Sequence, residues 1–211
     1  MAGIRYYDIR HVKGAISHID IENSRVEAAG TTFLDRAVIR VLGPKGWGIL
    51  TVDRFERPRG KKFEDLLSKA SALASLTGEE VTLADAPSGM IPVPPKKTDP
   101  LAIDLEEKGR LLLMVERAAR IPGITSTRAG YTERSEDVRF EDSCGNEYTY
   151  SLVRSGYSIL AVAGRGGEMQ MGYRRRHALQ DFPLKEGKKD GETAARRALA
   201  LLDARRPRGG T

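Results

Sequence analysis

The sequence predicts an α+β fold: antiparallel sheet built from two strand-meander-plus-helix halves, with the helices packed on one side. Three observations predict it. Short alternating or β-branched stretches cluster in two regions, residues 7–52 and 126–174. Apolar residues at helical spacing accompany each cluster. A proline-rich stretch, 85–103, separates the halves 1–84 and 104–205, and residues 206–211 read as a tail or linker.

In the first half, strands are expected at Tyr7–Val12, Ala15–Ile21, Arg25–Thr32, Ala37–Leu42 and Trp47–Val52, with Gly14 breaking the first pair. Gly43-Pro44-Lys45-Gly46 is a turn cluster between β-branched and aromatic flanks, which signals a hairpin. Phe63, Leu66, Leu67, Ala70, Leu73 and Ala74 then form one apolar stripe of a helix, and Gly78 supplies its stop. Five of the ten prolines fall between Ala86 and Pro100. Proline fixes φ and extends the residue before it, so this stretch reads as an extended crossover.

The second half opens with a helix over Leu105–Arg120. Asp104 caps it, and Glu106 and Glu107 favour its dipole. Strands follow at Ser126–Thr132, Glu136–Glu141, Glu147–Val153, Ser158–Ala163 and Glu168–Arg174. A last helix is expected over Glu192–Ala204, capped by Asp190, with an alanine-rich stripe. The stretch from Val38 to Trp47 aligns without a gap on Ile159 to Glu168, so both halves carry a hairpin with a G-x-x-G turn. Either the halves are related or two hairpins share ordinary turn chemistry.

With 211 residues, the chain is long enough for a proper core. Hydrophobic residues at 40% and charged residues at 30% describe a soluble globular protein. No apolar run approaches the roughly 20 residues of a spanning helix, and the N-terminus has no signal-peptide core, so a cytoplasmic location is expected. Arginines outnumber lysines, and Asn and Gln are scarce. That pattern fits a thermophile, although genomic composition produces the same arginine bias. The net charge of +6 is local. Residues 174–211 carry 11 basic and 5 acidic side chains, and the rest sums to zero. A nucleic-acid-binding domain would spread its charge more widely.

No catalytic or cofactor signature stands out. The residues after His11, His18 and His177 are Val12, Ile19 and Ala178, so HExxH is absent. His11 with Asp8 is an imaginable metal pair, but sheet-face histidines are the plainer reading. Gly164-Arg165-Gly166-Gly167 sits between strands and reads as a hairpin, with Arg165 at its tip available to a ligand or partner. Cys144, the single cysteine, lies in a turn-like stretch with no histidine close in sequence and reads as inert. Arg174-Arg175-Arg176-His177 with Lys185, Lys188 and Lys189 forms a basic segment. It suits phosphate or a partner, or is a solvated strand end.

Three sequence stretches carry a family resemblance. They are Gly46-Trp47-Gly48-Ile49-Leu50-Thr51, Asn23-Ser24-Arg25-Val26-Glu27, and the helix entry Asp99 to Lys108 after the prolines. With the second meander around Gly145 and the final helix, they resemble the N-terminal domain of the TldD/PmbA family, also called modulators of DNA gyrase. The order and spacing extend over essentially the whole chain.

The resemblance implies a specific function. TldD-type proteins are zinc-dependent proteases acting on unfolded or small peptides, and they assemble with a homologous subunit that lacks the metal. Their HExxxH zinc motif belongs to a C-terminal domain, which begins after a helix like Glu192–Ala204. This chain has no such motif, so the resemblance assigns it no catalytic, metal or cofactor residue. Zinc is expected only in the missing domain. The chain is then either a fragment of a longer subunit or a short gene complementing a separate C-terminal chain.

The expected role is a noncatalytic wall of the substrate chamber and part of the subunit interface. Trp47, Arg165, Arg174 and Arg175 are the candidate contacts for peptide or partner. Expected partners are a C-terminal catalytic domain or chain, a homologous subunit in a homo- or heterodimer, and peptide substrate, with no membrane. The alternatives are a nucleic-acid-associated basic module and a small hydrolase using Cys144 with His11, His18 or His177.

Overall fold

A computed structural model describes residues 3–79, 81–84, 92–204 and 209. The elements run β1 (Tyr6–Glu22), β2 (Arg25–Gly43), β3 (Gly46–Asp53), α1 (Lys61–Ala74), α2 (Leu105–Ala118), β4 (Ile124–Asp142), β5 (Glu147–Arg165), β6 (Glu168–Leu179) and α3 (Gly187–Leu202). Short 3-10 turns, Pro100–Ala102 and Pro183–Glu186, precede α2 and α3. The strands form one antiparallel sheet in the order β3-β2-β1-β4-β5-β6, with the helices packed on it. The expected fold class therefore holds. Part of the proline-rich crossover, residues 85–91, and all of the tail except residue 209 lie outside the described residues.

The expected short strands are halves of long ones. Tyr7–Val12 and Ala15–Ile21 are one strand of 17 residues, and Gly14 does not break it. Gly14 is there for close approach: a Cβ at this position would lie 1.9 Å from the Ser135 carbonyl oxygen of β4. The pairs expected in β2, β4 and β5 fuse likewise into strands of 19 residues each. The Asp104 cap is as expected, its Oδ1 accepting from the Glu107 amide at 2.7 Å. Asp190 is a correction. It is no cap, because α3 already begins at Gly187 and Asp190 is buried within its first turn.

The chain divides into two compact units. Unit 1 comprises Met1–Ala15, Phe33–Val93 and Ser135–Leu152, and unit 2 comprises Ile16–Thr32, Pro94–Arg134 and Val153–Thr211. The core of unit 1 joins Ile9, Ile39, Val41 and Phe55 to Leu67 and Ala70 of α1. The larger core of unit 2 joins Ile19, Tyr131, Tyr157 and Ile159 to Leu112 and Val115 of α2 and Ala194 of α3.

Both units press a helix onto a glycine of a strand. In unit 1, a Cβ on Gly48 of β3 would lie 1.8 Å from Ala70 O and 2.6 Å from Ala74 N. In unit 2, one on Gly172 of β6 would lie 1.8 Å from Ala194 O and 2.7 Å from Ala198 N. The offset is the same for all three residues: 48 to 172, 70 to 194, and 74 to 198. The ungapped alignment of the two hairpin turns uses a different offset, because the second hairpin is longer. Gly48 lies close to its turn, with Gly43 opposite Gly46, whereas Gly172 sits further along β6 from the turn pair Arg165 and Glu168.

Candidate functional site

In unit 2, the basic segment folds back on α3. Alternation along β6 turns Arg174 and Arg176 toward the helix and leaves Arg175 exposed between them. Arg176 forms a short charge-assisted bond to Asp190, and Arg174 Nη2 lies 3.3 Å from Asp190 Oδ1. The Tyr157 hydroxyl donates to Asp190 Oδ2 at 2.6 Å. Burial works to raise the Asp190 pKa, but Arg176, Tyr157 and Arg174 outweigh it and hold the carboxyl below its usual range. Burial, aided by Asp190, pushes the Tyr157 hydroxyl well above an ordinary phenol.

Two of the three arginines are thus committed to one buried carboxylate. That leaves the segment less free charge for a phosphate backbone than its sequence implies. Arg165 Nη2 reaches Asp203 Oδ1 at 2.6 Å and the Leu202 carbonyl at 3.3 Å, tying the hairpin to the end of α3. Met169, Met171 and Tyr173 share the exposed face of β6 with Arg175.

In unit 1, Asp8 plays a similar part. It is 1% exposed, and Arg40 donates to both its oxygens, the shortest bond being Nη2 to Oδ2 at 2.6 Å. The Trp47 ring lies 5.2 Å from the Arg40 guanidinium and meets Tyr6 edge-on at 6.0 Å. Half-buried Trp47 therefore covers an ion pair.

On another part of unit 1, His11 Nε2 lies 2.7 Å from Asp35 Oδ1, with Lys13 3.4 Å from the other oxygen and Phe55 edge-on to the imidazole. The hydrogen bond from His11, helped by Lys13, lowers the Asp35 pKa. His11, Lys13 and Phe55 line an open groove of about 240 Å³ with Arg57, Arg139 and Glu141.

The remaining sequence candidates do not converge on chemistry. Asp8 is taken by Arg40 and His11 by Asp35, so the imagined His11–Asp8 metal pair does not form. Cys144 is an exposed free thiol in the β4–β5 turn, its backbone N–H donating to Asp142 at 2.9 Å. Among the described residues, no group of three or more His, Cys, Asp or Glu is placed to hold a metal ion.

Sequence reasoning missed two buried carboxylate sites. Glu116 of α2 is fully buried and accepts from the Ser24 amide at 3.0 Å, the Ser24 hydroxyl at 3.1 Å and Thr127 by a short bond. Lys108 and Glu133 form a buried ion pair at 2.9 Å, joined by the Tyr131 hydroxyl. The signal for both was a charged residue on the apolar face of a predicted helix or strand.

Comparison with known proteins decides the family. The model described as PmbA/TldA metallopeptidase domain 1 matches residues 7–74, and that of the central domain matches residues 98–202. The chain belongs to the PmbA/TldD family.

Family relatives include a metalloprotease of Archaeoglobus fulgidus, 29% identical over 87% of this chain and 41% of the relative. A metalloprotease of Methanocaldococcus jannaschii is 26% identical over 95% of this chain and 45% of its own length. The chain thus spans less than half the length of these relatives. Among solved structures, a protein of Thermotoga maritima named as a modulator of a DNA gyrase superposes with a TM-score of 0.77 at 13% identity, covering 97% of this chain and 46% of that one. TldE from Thermococcus kodakarensis superposes at 0.62 with 14% identity, covering 95% and 44%. At such identities the two structures establish the PmbA/TldD fold alone. Within the described residues, no helix is long and apolar enough to cross a membrane.

Proposed function

We propose that this chain is the noncatalytic substrate-chamber and assembly part of a TldD/PmbA-type zinc metalloprotease acting on unfolded or small peptides. One observation carries the reading. The chain matches domain 1 and the central domain of a metallopeptidase family and spans less than half the length of its metalloprotease relatives, and among its described residues no group of three or more His, Cys, Asp or Glu is placed to hold a metal ion. By family resemblance, zinc belongs to a C-terminal catalytic domain or separate chain, which is one expected partner. A homologous subunit is the other. The setting that suits these partners is the cytoplasm, and the scarcity of Asn and Gln suits a thermophilic host.

The sheet offers a physical route to peptide. An extended peptide adds to a sheet edge through backbone hydrogen bonds, which read main chain more than side chains and so suit broad specificity. The edge strands are β3 and β6. Trp47 stands on the first, Arg174 and Arg175 stand on the second, and Arg165 lies at its hairpin. Arg175 is the contact of this set presented openly to a peptide, because Arg174 and Arg165 are engaged by Asp190 and Asp203. Fluorescence anisotropy of a labelled unfolded peptide titrated with the chain tests this. Saturable binding that weakens several-fold in Arg175→Glu is expected. No binding up to millimolar chain contradicts the chamber role.

A further inference from the structure

We infer that the free edge of β6 takes extended acidic peptides, with Arg197 as a displaceable cap on the strand and Arg175 and Arg197 selecting acidic side chains. The inference rests on the peptide-holding part of the reading above, and it names the edge, the register and the substrate class. Gly166 and Gly167, both at positive φ, separate the paired residues Arg165 and Glu168. In such a two-residue hairpin the pair flanking the turn is hydrogen-bonded. Alternation from Glu168 therefore turns the backbone groups of Gln170, Gly172 and Arg174 toward β5, and those of Met169, Met171, Tyr173 and Arg175 outward. Two contacts agree with this phase. The Gln180 amide, in step with the inward set, donates to the Val153 carbonyl at 2.8 Å. The Tyr173 carbonyl, in the outward set, accepts from Arg197 Nη1 at 3.4 Å. β6 ends the sheet, so no described strand pairs with the outward groups.

The bond from Arg197 marks a backbone acceptor without a strand partner. It is longer than a good hydrogen bond, so the N–H of an incoming peptide displaces it readily. Arg197 comes to the edge from α3, and Arg175 belongs to the face of β6 turned away from that helix. The two exposed guanidiniums thus flank the edge on both sides. Neither has a carboxylate partner among the described residues. Freed from Tyr173, Arg197 meets side chains on the helix side of the added strand.

The open face sets the rest of the pattern. Side chains of an added strand alternate between the two faces. On the open face they meet Met169, Met171 and Tyr173, then Arg175. Met169 is 72% exposed and Met171 62%. Methionine adapts to varied apolar partners, which suits a surface that accepts many sequences. Charged side chains on a bare edge also serve to guard it against pairing. A guarded edge has no use for an exposed apolar row beside it, whereas an added strand buries that row. The other edge strand, β3, has no basic side chain. Segments that alternate apolar with acidic residues complement both sides of β6.

Fluorescence anisotropy with the full chain tests the inference. The probes are a labelled peptide alternating valine with glutamate, its glutamine and lysine counterparts, its fully N-methylated form and an oligothymidylate. The glutamate peptide should bind roughly tenfold more tightly than the lysine one at low salt. N-methylation removes the backbone donors and should abolish binding. Arg197→Ala uncovers the Tyr173 carbonyl and removes a cation, so it should tighten the glutamine peptide and weaken the glutamate peptide several-fold. Alanine suits an exposed helix position, so an unchanged melting temperature is expected alongside and separates lost selection from a damaged fold. Glutamate, glutamine and lysine peptides bound alike overturn the inference and leave the peptide-holding reading standing. So does an N-methylated peptide bound as well as its parent, or oligothymidylate bound as tightly as the glutamate peptide, which makes the edge a general polyanion site. A chain that binds none of the peptides overturns both.

Discussion

The helix of unit 1 carries Phe63 and Leu67 where, at the common offset, α3 of unit 2 carries Gly187 and Gly191. The surroundings explain the exchange. Leu67 is fully buried in the core of unit 1, and Phe63 packs against that core. In unit 2 the same space belongs to α2. A Cβ on Gly187 would lie 2.4 Å from Val115 Cγ2, and one on Gly191 would lie 2.2 Å from the Val115 carbonyl oxygen. Both units keep the alanine face that presses on a strand glycine. They differ on the other helix face, which either fills its own core or makes way for a second helix. The recurrence of the glycine and both alanines at one offset favours related halves over two hairpins that merely share turn chemistry.

The largest effect should come from erasing the unit 1 solution. Leu67→Gly removes a fully buried side chain and adds a helix-interior glycine, so it should cost about 4 kcal/mol, read as a lower urea midpoint at unchanged slope. The converse change, Gly191→Leu, should cost about 3 kcal/mol by forcing α2 away from α3. A Gly191→Leu variant as stable as wild type would break the comparison.

The electrostatic part of the comparison comes next. Asp190→Asn removes the carboxylate that Arg174 and Arg176 share, and should cost about 2 kcal/mol, less than a wholly buried pair because both arginines are partly exposed. Its pH dependence has a definite sign. The folded-state pKa of Asp190 is depressed, so its stabilisation is full above the unfolded carboxyl pKa and fades as pH falls through the lower folded value. Stability measured through the acid range should therefore fall less steeply in Asp190→Asn than in wild type. The smallest effect should be Asp104→Ala. Loss of the α2 cap costs about 1 kcal/mol, read as a small fall in the urea midpoint.

The comparison also marks how far the sequence was legible. The stripes of α1 and α2, the Asp104 cap and the hairpin turns could be read because their causes are local. The strand lengths could not. Gly14 looks like a break in one dimension, and only the approach of Ser135 shows that it permits a long strand. Asp190 was read as a cap because it precedes an alanine stripe. Its actual partners, Arg174, Arg176 and Tyr157, come from neighbouring strands. Asp8 and Arg40 pair across 32 residues for the same reason. The family was legible from ordered motifs. A site built by pairing across the sheet leaves no spacing to read.

The central claim is that this chain assembles and holds peptide without cutting it. The most direct measurement is the zinc content of the purified chain, together with mass spectrometry of an unfolded peptide incubated with it in excess zinc. The account predicts substoichiometric zinc and an intact peptide. One zinc per chain with shortened peptide products, abolished by chelation, would contradict it.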